Sequence, residues 1–223
     1  MNSLDPDLEK RLVEMQRRIA SRVVLQDQFS EEAVAGVDQA FSGELVISGA
    51  VVLSPSFRVL CTASHIMRAA LPYVPGFLCF REGAPATKAV RDLDPKPMLL
   101  FVDGCGVNHP RMAGLACYVG IILGVPTIGI SKDVLCGSFK KPENVGEAEP
   151  LIYREKTVGY GLLSRKGCRP IVVAPGHRIS VDSALEVTRR YLKGQKLPEP
   201  CRLAHEYANK IKISRSPEPE ASP

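Results

Sequence analysis

The chain has 223 residues with a formal net charge of +5, and 45% of the residues are hydrophobic while 24% are charged. These values are typical of a globular protein that folds without disulfide or metal cross-links, and they argue against disorder, collagen and a membrane bundle. No apolar run approaches the roughly 18 residues that cross a bilayer, and the N-terminus lacks the basic start and apolar core of a secretory signal. We therefore expect a cytoplasmic protein with no membrane partner.

The charge and the cysteines narrow the choice of partner and cofactor. A net charge of +5 permits a nucleic-acid partner without requiring one. The seven cysteines are widely spaced, odd in number and form no Cys-x-x-Cys pair, which favours reduced thiols over disulfides or a zinc site. The four histidines include no close pair, so a His-rich metal centre is not expected.

The first third of the chain predicts a helix and then a meander. An amphipathic helix is expected over residues 5–25, with Asp5 as its N-cap and Pro6 at its first helical position. Three strand-like runs joined by short turns follow, and they predict an antiparallel three-strand meander over residues 33–41, 44–53 and 57–66.

The rest of the chain alternates helices and strands. Helices are predicted over residues 77–92, 111–123, 180–192 and 201–212. Strands are predicted over 97–102 and 126–130, with shorter candidates at 151–153, 157–163 and 170–174. This order predicts an α/β fold, in which an antiparallel meander followed by parallel strands forms a mixed sheet with helices on both faces. We expect one domain over residues 1–213 and a disordered tail, rich in Pro, Ser and Glu, over 214–223.

Two apolar strand-like runs end in an aspartate, Asp38 and Asp103. A carboxylate at a buried strand costs several kcal/mol unless something compensates its charge, and a bound cation is one such compensation. The alternative is a strand end where aspartate begins a turn, which suits the Asp103-Gly104 pair better than Asp38. Two carboxylates from neighbouring strands are ligands that Mg²⁺ prefers.

Three further residues are weaker candidates when taken singly. Glu82 is either a third carboxylate of this group or a solvated helix residue. Lys132 follows a buried strand, where it either meets a phosphate or is solvated. His177 lies in a Pro-Gly loop, where it either binds a metal, orients a water or is an ordinary surface residue.

The segment Pro72-Tyr73-Val74-Pro75 is an unusual loop. Two prolines stiffen a tip with one aromatic and one aliphatic side chain. Such a tip can enter a base stack and wedge it open, or it can be a rigid turn that packs Tyr73 inward. The chain has no Walker-type GxxxxGK[ST], no GxGxxG after a strand, no GxSxG and no HExxH motif.

Five blocks together resemble the endonuclease V family, the deoxyinosine 3′ endonucleases, and they occur in that family's order. They are AGVD at 35–38, PYVPGFLCFRE at 72–82, VDGCG with HPR within 102–111, GISK at 129–132 and PGHRIS at 175–180. The block at 72–82 is the most specific, and the others are strong only as an ordered set. A lesion-binding protein that does not cut would be favoured if a carboxylate were missing, but all three are present.

The resemblance implies an RNase H-like fold and a Mg²⁺-dependent DNA repair endonuclease, with Mn²⁺ as a substitute metal. It implies hydrolysis of the second phosphodiester bond 3′ to deoxyinosine, which is deaminated adenine, by metal-assisted water attack that leaves a 3′-OH and a 5′-phosphate. A ribonuclease acting mainly on inosine-containing RNA is the alternative, and single strands are further candidate substrates. We expect the protein to act as a monomer.

The resemblance also implies roles for individual residues. Asp38, Glu82 and Asp103 match the metal-binding carboxylates, with His177 close to the metal and Lys132 as the active-site lysine. Substrate binding is implied for the wedge loop, which is Pro72, Tyr73, Val74 and Pro75. It is also implied for Gly104 and Gly106 around the base pocket, and for His109 near the lesion-containing strand. Cys105 departs from the family pattern, where a polar amide is expected, and this puts the fine base preference in doubt.

Overall fold

The computed structural model describes residues 4–214, so the tail predicted over 214–223 lies outside the described residues except for Ser214. The helices are α1 (Pro6–Ala20), α2 (Leu78–Arg91), α3 (Leu115–Leu123), α4 (Val181–Arg190) and α5 (Glu199–Ser214). The strands are β1 (Val34–Ser42), β2 (Leu45–Leu53), β3 (Val59–Arg68), β4 (Leu99–Asp103), β5 (Thr127–Ser131), β6 (Ala148–Tyr153), β7 (Lys156–Leu162) and β8 (Ile171–His177). Between residues 4 and 214, none of the helices is both long and apolar enough to cross a membrane.

All eight strands form one sheet in the order β3-β2-β1-β4-β5-β8-β7-β6. β1, β2 and β3 pair antiparallel as the predicted meander, and β4 and β5 run parallel to β1. β8 then pairs antiparallel with β5, and β7 and β6 continue in antiparallel fashion. The predicted mixed sheet is confirmed, with a second antiparallel group that the sequence patterns did not specify.

The sheet lies between two layers of helices. α2 and α3 pack on one face, where Val37, Leu100 and Val102 are fully buried. α4 and α5 cover the other face, where Phe101 and Ile130 are fully buried. Because β4 and β5 are covered on both faces, their sequences are apolar on both faces rather than alternating, and a polar residue at their ends stands out.

α1 begins as predicted but ends earlier. The Asp5 side chain accepts hydrogen bonds from two backbone N–H groups of the first turn, each at 3.0 Å, and Pro6 occupies the first helical position. The helix ends at Ala20 instead of 25, because the following segment binds the end of β8. There the Val24 N–H donates to His177 Nδ1 at 3.3 Å.

α3 begins at Leu115, four residues later than predicted. The Arg111 N–H donates to His109 Nδ1 at 3.1 Å, which holds this stretch in a turn. Met112 has a φ of +54°, in the left-handed region that a right-handed helix excludes. The turn before α3 therefore directs the His109 side chain toward the site described below.

Candidate functional site

A cavity of about 340 Å³ opens beside the carboxyl ends of β4 and β5 and is large enough for a small ligand. Asp103 ends β4, and Asp38 in β1 is the next residue after Val37, which pairs with Val102 in the parallel register. This register places the two aspartates side by side. Glu82 from α2 lines the same cavity, so the structure brings the three predicted carboxylates together.

Asp38 is buried, with 5% of its surface exposed, and both of its carboxylate oxygens have partners. Oδ1 accepts from the Gln39 N–H at 2.7 Å, and Oδ2 lies 2.6 Å from His205 Nδ1. Burial and the nearby charge of Asp103 raise the pKa of Asp38 to about 6, against the opposing effect of these hydrogen bonds. The environment of Asp38 therefore disfavours a bare negative charge.

Glu82 is held in a similarly unfavourable position for a charged carboxylate. It is 5% exposed, and burial raises its pKa to about 8. The neighbouring Arg81 lowers that pKa, while the charges of Asp103 and Asp38 raise it further. In the protein without a metal, Glu82 therefore keeps a proton at neutral pH, and an added cation would favour its release.

Lys132 follows β5 and reaches back to the end of β4. Its Nζ donates to Asp103 Oδ2 at 2.9 Å, and its side chain remains 42% exposed. Burial acts to lower the pKa of Lys132, but the Asp103 carboxylate outweighs it, so the pKa lies above its usual value. The ammonium group thus stays charged at the mouth of the cavity, where it is available to an anion.

The histidine beside the carboxylates is His205 of α5, which the sequence reasoning missed. Buried residues of α5 face the sheet at positions 201, 204 and 208, and this helical spacing also directs position 205 toward the sheet. That spacing is the signal that could have identified His205 as a site residue.

A glycine in β1 allows α5 to approach closely enough for this contact. A Cβ added to Gly36 would lie 2.1 Å from the Pro200 carbonyl oxygen, at the start of α5. Gly36 precedes Asp38 by two residues, so both lie on the same face of β1. The close packing of helix and strand thereby sets the distance between His205 and Asp38.

His177 is not brought to the carboxylates, which corrects the expectation that it lies near the metal. It pairs with Thr127 at the start of β5, because β8 runs antiparallel to β5. Asp103 and Lys132 lie at the other end of these strands. His177 is buried, its Nδ1 accepts from Val24, and burial together with two nearby arginine charges lowers its pKa. Its role in the structure is to hold the segment after α1.

The loop at residues 72–75 and the two glycines take different positions around the cavity. Tyr73 is 64% exposed and, with Pro75, lines the cavity mouth, whereas Pro72 and Val74 belong to the loop without lining it. Gly104 lines the cavity, but Gly106 lies behind it, where an added Cβ would be 2.2 Å from the Pro175 carbonyl oxygen. The structure thus gives Gly106 a packing role.

His109 also lines the cavity, with both ring nitrogens engaged by the backbone. Nδ1 accepts from Arg111, so Nε2 bears the hydrogen and donates to the Gly76 carbonyl oxygen at 3.0 Å. Burial, with a contribution from the Arg111 charge, lowers the pKa of His109 to about 4. The ring is therefore neutral at physiological pH.

The donor set is suited to a hard divalent cation. Over residues 4–214, no three His, Cys, Asp or Glu side chains are gathered closely enough to form a complete metal cluster. Mg²⁺ needs only one or two carboxylates when water and phosphate oxygens complete its octahedron. Asp38 and Asp103 could provide these two, and a cation beside them would counter the burial and the Asp103 charge that raise the pKa of Asp38.

Comparison with known proteins identifies relatives of this chain. The sequence profile of a family described as Endonuclease V matches residues 17–206. The Endonuclease V of Methanopyrus kandleri is 44% identical over 198 residues, which are 88% of this chain and 86% of that protein.

The solved structures give the same result for the fold. The Endonuclease V of Streptomyces avermitilis superposes with a TM-score of 0.86 at 32% identity, covering 93% of this chain and 95% of that one. Endonuclease V of Ciona intestinalis, at a TM-score of 0.82 and 21% identity, covers 95% of this chain and 100% of its own and shares the fold. The fold is RNase H-like, and the chain belongs to the endonuclease V family.

Proposed function

We propose that this protein is a DNA repair endonuclease that hydrolyses the second phosphodiester bond 3′ to deoxyinosine. The reaction uses Mg²⁺, with Mn²⁺ as a substitute, and leaves a 3′-OH and a 5′-phosphate. The observation that supports it best is the grouping of three carboxylates and one lysine around one cavity, beside an exposed aromatic loop. Membership of a nuclease family supports the reaction class.

The carboxylates explain why the site requires a cation. A phosphodiester is anionic, and the negative charge at Asp38 and Asp103 repels it unless that charge is offset. A divalent cation in such a site neutralises the phosphate, lowers the pKa of an attacking water and stabilises the leaving oxygen. Asp38 and Asp103 would hold it, and its positive charge would favour the ionised form of Glu82.

Two other groups orient and stabilise the reacting phosphate. Lys132 is anchored at 2.9 Å to Asp103, which fixes its ammonium near the charge that grows on the phosphate oxygens. His205 Nδ1 lies 2.6 Å from Asp38 Oδ2, and this contact holds the carboxylate in one orientation. Both contacts lie within the protein, so they hold these groups in fixed orientations for the reaction.

Deoxyinosine recognition is proposed from the loop and the cavity. A base must leave the stack to be recognised, at a cost of a few kcal/mol, and Tyr73 can occupy the space that the base leaves. The cavity behind Tyr73, beside Gly104 and Cys105, then receives the base. The Ciona relative was solved in complex with a 24mer DNA that contains an inosine followed by a ribo-adenosine, and this supports the same substrate class here.

A cleavage assay tests the proposal. Matched oligonucleotides, labelled at the 5′ or the 3′ end, are incubated with Mg²⁺, Mn²⁺ or a chelator. The DNA substrates contain one deoxyinosine or no lesion, and the RNA substrates contain one inosine or an adenosine in its place. We expect one cut at the second bond 3′ to deoxyinosine, with both metals and not with chelator. Cleavage confined to inosine-containing RNA would establish the ribonuclease alternative instead, and binding without cleavage would refute an enzymatic role.

We also propose that the protein acts as a monomer in the cytoplasm. The seven cysteines, all between residues 61 and 201, form no disulfide, which is consistent with a reducing compartment. Light scattering at assay concentrations and fractionation of cells producing the tagged protein test these two points, and a dimer or an exported protein would contradict them.

A further inference from the structure

The loop from Pro72 to Gly76, here called the Tyr73 loop, is held at both ends by side chains from other elements. Before the tip, Arg81 Nη1 donates to the Leu71 carbonyl oxygen at 2.6 Å. After the tip, three donors converge on the Gly76 carbonyl oxygen, and they come from α1 and from the turn before α3. The tip itself is exposed at Tyr73. The loop thus combines fixed ends with a free aromatic ring.

Gln16 of α1 is the centre of the second anchor. Its Nε2 donates to the Gly76 oxygen at 2.8 Å, and its Oε1 accepts from Arg111 Nε. Gln16 is fully buried, although a glutamine side chain is usually exposed. Its amide therefore has both of its functions satisfied inside the protein, and it connects the helix to the loop.

Arg111 and His109 complete the anchor. Arg111 Nη2 donates to the Gly76 oxygen at 2.9 Å, and its guanidinium lies 4.7 Å from the centre of the Phe77 ring. Gly76 has a φ of +83°, and an added Cβ would lie 3.2 Å from Arg111 Nη2, so only glycine fits without strain. Arg111 thereby holds both the carbonyl and the residue that follows it.

These contacts have no evident part in the chemistry, because none of them involves Asp38, Asp103 or Lys132. Gln16 also lies one residue before the segment that the family profile matches. We propose that Gln16 and Arg111 are positioning residues that hold the Tyr73 loop in the orientation in which its ring enters the substrate duplex. This proposal rests on the function proposed above only for the identity of the substrate.

The first test measures the loop without any substrate. The chain has no tryptophan, so Tyr73→Trp places one tryptophan at the loop tip, and its fluorescence can be excited selectively over that of the remaining tyrosines. Gln16→Met, added to that protein, removes the amide while keeping a long side chain. Time-resolved anisotropy should then show a larger nanosecond component, because the second anchor loses one of its three donors to the Gly76 carbonyl oxygen. An unchanged decay in a folded variant would refute the anchor, whether or not the protein cleaves DNA.

The second test is a double-mutant cycle on binding. Gln16→Met should weaken binding to an inosine-containing duplex by about 2- to 10-fold, the range for one lost hydrogen bond, and should affect a single strand less. The same substitution should have no further effect when Tyr73 is already alanine, since the anchor then has no ring to position. Equal losses in both backgrounds would show that Gln16 affects binding independently of the Tyr73 ring, and this would overturn the proposal.

Two further variants keep the test interpretable. Thr188→Val removes a buried hydroxyl of α4, on the other face of the sheet, that donates to the Ala184 carbonyl oxygen at 2.7 Å. It should lower the melting temperature without changing the anisotropy or the duplex preference. If Gln16→Met does not fold, Arg111→Lys enters the same cycle, because lysine keeps the charge but loses the fork that joins Gln16 to Gly76. Additive losses for that variant would overturn the proposal.

Discussion

The two ends of β5 have opposite chemical environments. At its carboxyl end lie Asp103 and Lys132, joined by a 2.9 Å ion pair at an open cavity. At its amino end lies His177, buried and bonded to the backbone of Val24. A parallel neighbour, β4, places its last residue at the carboxyl end, whereas the antiparallel β8 places its last residue at the amino end. Strand direction thus decides which residues can share a site.

Substitutions of the carboxylates beside the carboxyl end of β5 should produce the largest loss of cleavage rate. Asp103→Asn removes a charge that holds the proposed cation, and a bound metal contributes several kcal/mol to transition-state stabilisation. Single-turnover cleavage with millimolar Mg²⁺ should fall by about 10³-fold or more, with the fold intact by circular dichroism. Asp38→Asn should behave alike and melt at a higher temperature in chelator, because it removes a buried like charge.

Asp133→Asn is the matched control for this prediction. Asp133 also lies at the cavity rim, but it is exposed and pairs with Arg169. It should retain nearly all of the cleavage rate. Wild-type turnover in Asp103→Asn, or an equal loss in Asp133→Asn, would contradict the assignment of the carboxylates.

Lys132→Ala should have the next largest effect. If the ammonium stabilises charge that develops on the phosphate, the single-turnover rate should fall by about 10²-fold while affinity changes much less. Rates and gel-shift affinities are measured on one oligonucleotide, with Lys140→Ala as a control for loss of surface charge. A variant that binds poorly but cleaves normally at saturation would place Lys132 in substrate binding alone.

Tyr73→Ala should act on binding, because the ring is far more exposed than the carboxylates. Loss of one stacking contact of roughly 1–3 kcal/mol predicts about 5- to 150-fold weaker binding to an inosine-containing duplex. The loss should be smaller for the same single strand, and saturating enzyme should recover most of the cleavage rate. Wild-type affinity for the duplex would identify the loop as a structural turn.

The raised pKa values predict a dependence of stability on pH in the protein without metal. The ordinary values are 3.8 for Asp38 and 4.5 for Glu82, and the folded values are about 6 and about 8. Between these limits the folded chain binds more protons than the unfolded chain, so these two groups stabilise it at low pH and lose that contribution as pH rises toward about 8.

Glu82→Gln isolates the part of this effect that comes from one residue. In chelator, its melting temperature relative to wild type should be higher at pH 8 than at pH 5. Thermal unfolding from pH 4 to pH 9 measures the difference, and added Mg²⁺ at pH 8 should raise the melting temperature of wild type more than that of the variant. A pH-independent difference would show that Glu82 is ionised in the free protein.

Substitutions at the amino end of β5 should have the smallest effect on the cleavage rate. His177→Ala removes a buried hydrogen-bond acceptor, so it should destabilise the fold by about 1–3 kcal/mol in chemical denaturation. It should leave the saturated single-turnover rate unchanged, whereas His205→Ala should lower that rate. A loss of rate in folded His177→Ala would show that the two ends of the strand are coupled.

Local sequence patterns predicted the elements well where a local cause dominates. Asp5 and Pro6 start α1 through capping, and the apolar runs at β4 and β5 reflect burial on both faces. The same patterns placed Asp38 and Asp103 together, because the two apolar runs that end in these residues are neighbouring parallel segments of the sheet. The resemblance implied that His177 lies close to the metal, and local patterns could not correct this, because the direction of β8 depends on its pairing with β5 and β7.

His205 was missed for a related reason. The helix that contains it was predicted, but the strand opposite that helix depends on packing between residues 167 positions apart in sequence. The ends of α1 and α3 were misplaced because Val24 and Arg111 bind histidine rings that no helical pattern includes. A tertiary hydrogen bond overrode helix propensity at Val24, and a local side-chain hydrogen bond did so at Arg111.

The close contact between Gly36 and Pro200 would affect any library of variants that is selected for cleavage activity. A methyl group at that position would collide with the Pro200 carbonyl, so α5 would have to move away from β1 and carry His205 with it. Substitutions at Gly36 should therefore be depleted as strongly as substitutions at Asp38, although Gly36 has no side chain to contribute to the reaction. A count of surviving clones would rank a packing residue among the catalytic ones, and the distinction between them would appear only in the melting temperatures of the purified variants.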